Sequence, residues 1–407
     1  MNDLNQALTQ RLAALRQQGL LRELRRVDSP PGPRIELGGR TLLNFASNDY
    51  LGLAAEPALK EAAIKAVERY GAGAGASRLI CGSLAPHHEL DEALAAFKGA
   101  EAALSFATGY AAAIGVICAL LGKDDCIILD KLVHACIVDA ARLSGATMRV
   151  FGHNDLDDLE AKLKWAAGRG QSPKSEARSP KSTVQIQAGR TLVVTESVFS
   201  MDGDHAPLRE VADLKDKYGA WLMVDEAHAT GLYGAHRRGL AEELGVSSRI
   251  EVQMGTLGKA LGASGGYICG SRVLIDYLIN RARTFIFSTA PVPAAAAAAA
   301  AGVRFVTSSA GEERRSRLWQ HVAALRSTIN PQPSTPPSAI LPIRIGEENK
   351  AVAVAAALRD EGIFIPAIRY PTVARGQARL RLTLSAAHTP ADLAQLLAAL
   401  KALDIGL

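Results

Sequence analysis

WLMVDEAHATG, residues 221–231, opens on four consecutive apolar residues, Trp221 to Val224, and then turns abruptly polar. A short apolar run that ends this way is the pattern of a strand buried on both faces. Asp225 falls at its C-terminal end and His228 three residues on. In open α/β sheets ligands collect at the carboxyl ends of the strands. Downstream, MGTLGKALGASGG, residues 254–266, sets Lys259 among glycines at 255, 258, 262, 265 and 266, with Thr256 three residues before it and no acid in the stretch. Each missing side chain is read as room for a planar group to approach the amine. An acid at a strand end and a lysine 34 residues later meet the needs of pyridoxal 5′-phosphate (PLP). That cofactor takes a Schiff-base lysine and an acidic partner for its pyridine nitrogen. Spacing alone also fits a solvated loop lysine and an ordinary strand-end turn.

Working outward, short apolar runs alternate with helical patterns from Glu101 onward, which predicts a doubly wound sheet. ALSFATGYAAAIGVICAL, 103–120, combines a strand, a turn at Thr108, Gly109 and Tyr110, and a helix that starts on small residues. The backbone N–H groups of such a start attract a phosphate. CIILD, 126–130, is the next strand, and KLVHACIVDAARLSG behind it carries His134. The strand at 191–195 leads to Glu196 and Ser200. Between Gly168 and Gly189 the chain is rich in Ser, Lys, Arg and Pro, which predicts a solvated surface insertion. DEAH at 225–228 is no helicase box, because no GxxxxGK[ST] loop precedes it.

Toward the termini, leucines 4, 8, 12, 15 and 20 keep near-helical spacing over residues 4–26, interrupted at Gly19. IELGGRTLLNF reads as a hairpin turning at Gly38 and Gly39, and SNDYLGL, 47–53, as a polar turn around Asn48. In ARLRLTLS, 378–385, alternation places Arg379 and Arg381 on one strand face and three leucines on the other. That arginine pair fits the edge of a binding site or a solvated face equally well.

A chain of 407 residues exceeds one ordinary domain. The expected division is an N-terminal helix and hairpin segment at 1–50, a large domain at 51–305 and a small C-terminal domain at 306–407. The net charge of +5, from 46 basic and 41 acidic residues, is too mild for a nucleic-acid partner but suits acidic substrates. Five cysteines without CxxC spacing predict neither a disulfide framework nor a metal site. The N-terminus has no apolar signal core, and the Ala-rich run at 290–304 is too short to span a bilayer. A cytoplasmic protein without a membrane partner is expected.

The lysine and DEAHATG segments resemble those of the α-oxoamine synthases, a branch of the aspartate-aminotransferase-like fold, and the resemblance runs from about Leu20 to the C-terminus. It implies an α/β protein of PLP fold type I, with a large, mostly parallel doubly wound sheet and a smaller C-terminal α+β domain. It also implies PLP as cofactor and a homodimer with shared active sites. At the matching positions it gives Lys259 as the Schiff-base lysine and proton carrier, Asp225 as partner of the ring nitrogen, His134 stacked on the ring and His228 at the ring hydroxyl. Gly109 and Tyr110 would support the phosphate, Glu196, Ser200 and Thr256 would lie along the cofactor, and Ser288 and Thr289 would reach the phosphate of the other subunit. Arg381 would grip the amino-acid carboxylate, and Arg22, or Arg25 if the register slips, the far carboxylate of the acyl chain. Asn48 and Thr372 would border the substrates. PAIRYPTVARGQARLR, 366–381, leans toward the branch that joins L-alanine to a pimeloyl thioester, on CoA or a carrier protein. Glycine with acetyl-CoA or succinyl-CoA is the alternative. The chain departs from the family pattern in Cys136, where many relatives have serine, and in Tyr370, where proline is common.

Overall fold

The computed structural model describes residues 3–169, 189–329 and 336–405, so the insertion expected at 168–189 lies almost wholly outside the described residues. The chain divides into two compact units. A small unit comprises Met1–Ala55, Ser200–Asp204 and Gly311–Leu407; a large one comprises Glu56–Phe199 and His205–Ala310.

The segment at 1–50, expected to stand apart, belongs to the small unit. Strands β1 (Arg34–Leu37) and β2 (Arg40–Asn44) form the expected hairpin, with Gly38 and Gly39 at φ 60° and 74°. Two consecutive left-handed residues are what a two-residue turn matched to strand twist demands. The edge of β2 then pairs in parallel with residues 363–364, which ties the N-terminal segment to the C-terminal one. The first helix is shorter than its leucine spacing suggests and spans Asp3–Gln17. Gly19 turns left-handed at φ 67°, and the Leu20 N–H closes back on the Leu15 carbonyl. That six-residue closure ends a helix, and it leaves 20–26 outside any helix.

The large unit holds a seven-stranded sheet of β3 (Ala102–Phe106), β4 (Cys126–Asp130), β5 (Thr147–Phe151), β6 (Thr191–Glu196), β7 (Trp221–Asp225), β8 (Val252–Thr256) and β9 (Gly266–Gly270). Their order is β3-β9-β8-β7-β6-β4-β5; β9 runs antiparallel to both neighbours and every other pair is parallel. Central parallel strands are covered on both faces, which is why β4, β6 and β7 read as unbroken apolar runs. Ile127, Leu129, Leu192, Val194 and Met223 pack into one core with Ala112 and Val116 of the helix Gly109–Leu120. Register then brings polar residues together at the carboxyl ends: Glu196 pairs with Asp225, and Asp225 with Met254, two residues before Thr256.

The small unit carries two three-stranded sheets built with β10 (Ile340–Gly346), β11 (Ile363–Phe364), β12 (Ala367–Ile368) and β13 (Ala378–Thr383). One has the order β1-β2-β11; the other, β10-β13-β12, is antiparallel and packs against the helix Glu348–Asp360. All six residues of β13 are buried, both arginines included, so the solvated-face reading of Arg379 and Arg381 does not hold.

Candidate active site

In the large unit, Asp225 is buried at the end of β7, where its Oδ1 accepts the Ala227 N–H at 2.9 Å. Burial pushes its carboxyl above the usual carboxylate range, while the charge of Lys259, the Ala227 N–H and His134 pull it back. Lys259 follows β8, and its Nζ lies 3.0 Å from Nε2 of the buried His228. The residues assembled from 134, 225, 228 and 259 thus form one electrostatic cluster, as the family pattern predicts.

His134 caps the helix Ala135–Ser144, and its Nδ1 accepts from the Cys136 N–H at 3.2 Å. The Cys136 sulfur also lies 3.0 Å from Nδ1. Burial first, then the charges of Asp225 and Glu196, push the Cys136 thiol up to about 12, so it stays protonated and can donate. Two donors at Nδ1 leave the ring proton on Nε2. Partial burial and the Lys259 charge hold His134 below its ordinary value, against the opposing pull of Asp225. The hydroxyl absent at position 136 is therefore replaced by a thiol that orients the same imidazole.

The start of the helix Gly109–Leu120 meets β8. A Cβ on Gly109 would stand 2.5 Å from Cγ2 of Thr256, so only glycine permits the approach. Thr256 Oγ1 is buried and makes no hydrogen bond. A helix start supplies N–H groups without intrahelical acceptors. Those donors beside an orphaned buried hydroxyl fit a phosphate, and with Lys259 and Asp225 they fit PLP. Three other glycines, however, do not leave room for a ligand. A Cβ at Gly255 would meet the Tyr267 ring at 2.4 Å, one at Gly265 the Phe106 carbonyl at 2.9 Å, and one at Gly266 the Gly109 Cα at 2.5 Å. Their spaces are filled by β9 and the neighbouring backbone, a distinction that composition cannot make.

In the small unit, Arg381 is 5% exposed and its guanidinium is held on several sides. Nε donates to the Ser200 carbonyl at 2.5 Å, and Nη1 to Asn48 Oδ1 at 3.0 Å and Thr383 Oγ1 at 3.1 Å. Nη2 has only a long contact of 3.5 Å to the Tyr50 hydroxyl. Arg379, on the same face, is neutralised by an ion pair with Asp202. Among the described residues no carboxylate pairs with Arg381, which leaves a buried cation suited to an incoming carboxylate. Arg22 and Thr372, 350 residues apart, come within 3.5 Å of each other.

A family model, aminotransferase class I and II, matches residues 40–400. The chain belongs to that family. An 8-amino-7-oxononanoate synthase of Herminiimonas arsenicoxydans is 45% identical over 406 residues, covering 98% of this chain and 99% of that protein. Among solved structures, serine palmitoyltransferase from S. paucimobilis, with a bound PLP–myriocin aldimine, is similar at TM-score 0.87 and 29% identity, covering 99% of this chain and 100% of that one. The 8-amino-7-oxononanoate synthase of Francisella tularensis is similar at TM-score 0.72 and 26% identity, covering 89% and 98%. The family membership and the fold class agree with the resemblance read from the motifs.

Not every expected residue joins a cluster. Tyr110 is exposed and spends its hydroxyl on Asp139 at 2.7 Å, and Ser288 and Thr289 sit in a turn without a hydrogen bond to any other site residue. Sequence reasoning missed Lys98 and Glu226, each 1% exposed, whose ammonium and carboxylate meet at 2.5 Å. Glu226 follows Asp225 directly, and its other oxygen accepts the Ala241 N–H at 2.8 Å, which fixes the loop behind the cofactor acid. Glu226 offered a signal, being an acid next to Asp225 in DEAH; its partner lies 128 residues away and offered none.

Proposed function

We propose that this chain is a PLP-dependent 8-amino-7-oxononanoate synthase, condensing L-alanine with a pimeloyl thioester to give 8-amino-7-oxononanoate, the free thiol and CO2. The observation that carries the reading is the Lys259–His228 contact of 3.0 Å beside the buried Asp225, in a chain 45% identical end to end to an enzyme of that name. Lys259 would hold the cofactor, Asp225 its ring nitrogen, His134 its face, and Thr256 with Gly109 its phosphate. When bound, PLP supplies an electron sink for the carbanion at the amino-acid Cα. Lys259 Nζ takes and returns the Cα proton, and His228 Nε2 accepts a hydrogen bond that keeps the amine's lone pair directed. Arg381, steadied by Asn48, binds the alanine carboxylate through the donors left on Nη2. Arg22 and Thr372 bind the acyl donor.

A homodimer with shared sites accounts for Ser288 and Thr289, whose hydroxyls would serve the partner's phosphate. Ile80 at 79% and Phe287 at 69% exposure are large apolar side chains that such an interface would cover. Five unbridged cysteines support a reducing, cytoplasmic setting. Among the described residues no helix is long and apolar enough to cross a membrane.

The test pairs alanine, glycine and serine with pimeloyl-, acetyl-, succinyl- and palmitoyl-CoA and follows thiol release. Preference for alanine with the pimeloyl thioester is expected. Preference for glycine with a short thioester, or serine with the palmitoyl one, overturns the substrate assignment.

A further inference from the structure

A second set of cations in the small unit is used by nothing described above. Arg22, Arg25, Arg359 and Arg369 line a cavity of about 410 Å³, whose apolar wall includes Val352, Phe364 and Ile365. Glu23 is the single acid on its lining, and among the described residues none of the four guanidinium groups forms an ion pair. Four positive charges against one negative leave a surplus that repels itself unless an anion enters. The surplus is felt at Arg369, which burial first and then Arg22 and Arg25 hold below the ordinary arginine value. Arg369 also donates to the carbonyls of Gly19 and, at 3.3 Å, Leu21, so it pins the non-helical stretch that carries Arg22 and Arg25 to the cavity wall.

Position separates this cavity from the amino-acid anchor. Ala367, on the lining, lies opposite Leu380 in the β12–β13 register. Directly opposed residues share a sheet face, and Leu380 points away from the face of Arg379 and Arg381. The cavity therefore serves a part of the substrate remote from the alanine carboxylate. A single distal carboxylate would cancel one charge of the surplus. A phosphate ester on a partly apolar arm cancels more and matches the wall.

We propose that this cavity binds the phosphate-bearing arm of the acyl donor's thiol carrier, with Arg25, Arg359 and Arg369 as carrier-specific contacts beyond Arg22. The proposal rests on the acyl-thioester reading above. Its chemistry is shared by coenzyme A and by the phosphopantetheine of a carrier protein.

The test is calorimetric titration of the PLP-loaded enzyme with coenzyme A, 4′-phosphopantetheine and pimelate, comparing wild type with Arg25→Gln/Arg359→Gln. Neither side chain makes a hydrogen bond or ion pair among the described residues, so the variant is expected to keep its thermal midpoint. The phosphate-bearing thiols should lose about tenfold or more in affinity, as expected for two lost guanidinium contacts at a half-open site, while pimelate is unaffected. Loss confined to one of the two thiols supports the site and names the source. Unchanged affinity for both, or a loss seen with pimelate alone, overturns the proposal. Because binding is read without turnover, a wild-type enzyme that binds carrier yet fails to use the pimeloyl thioester faults the substrate assignment and not this cavity.

Discussion

Replacing Arg381 by lysine tests the amino-acid anchor most directly. Lysine keeps the charge but has three donors, and the site already holds three acceptors at normal distance: the Ser200 carbonyl, Asn48 Oδ1 and Thr383 Oγ1. Arginine has five donors and reaches those three with two nitrogens, which leaves Nη2 for a ligand. In Arg381→Lys the ammonium is spent on the protein, and the alanine carboxylate loses about one charge-assisted hydrogen bond. Such a bond contributes about 1.5–3 kcal/mol, or roughly a 10- to 150-fold rise in KM for alanine. The KM for the acyl thioester should stay within about threefold, since its proposed contacts are Arg22 and Thr372. The assay varies alanine at saturating thioester and then reverses the roles. An unchanged alanine KM, or a parallel rise in both, would refute the reasoning. The occupied Nε and Nη1 also mean that the two-pronged grip expected from arginine's planar fork requires one of these internal bonds to open.

Asp225→Asn keeps the shape and the bond from the Ala227 N–H but removes the buried charge, so kcat at full cofactor occupancy should fall about a hundredfold or more; activity within threefold of wild type contradicts the role. Lys98→Met strands the Glu226 carboxylate in a site 1% exposed and should cost about 3–5 kcal/mol in urea unfolding, with Lys98→Met/Glu226→Gln recovering part of it; a single-variant cost below about 1 kcal/mol speaks against the buried pair. His87, His321 and His388 are buried and held below the ordinary histidine value, chiefly by burial. The unfolded chain therefore takes up their protons first, and stability should be flat above about pH 6.5 and fall as the pH drops below it, by at most about 1.4 kcal/mol per pH unit for each histidine. Urea midpoints that hold steady from pH 7.5 to 5.5 would exclude this.

The sequence by itself determined the parts of this protein that depend on neighbours along the chain. Trp221–Val224 and Cys126–Asp130 are buried on both faces, so their apolar runs announce parallel strands, and Gly38–Gly39 announces a turn because few other residues accept positive φ at both positions. Lys259, Asp225, His134 and His228 were legible for a related reason: each is fixed to the end of a strand or the start of a helix, where local pattern and site position coincide. What lies across the chain was not legible. Alternation put Arg379 and Arg381 on one face, but only the fold placed Asp202 against the first and left the second without a carboxylate. Leucine spacing ran on through Leu20, while the helix stopped at Gln17 because Gly19 closed it. The glycines around Lys259 looked alike as letters, yet Gly255, Gly265 and Gly266 admit neighbouring protein atoms while Gly109 admits Thr256. Lys98 joined Glu226 and four arginines gathered on one cavity because the units folded that way. Charge pairing and close approach are set by distances in space, and nothing in the spacing of residues along the chain encodes them.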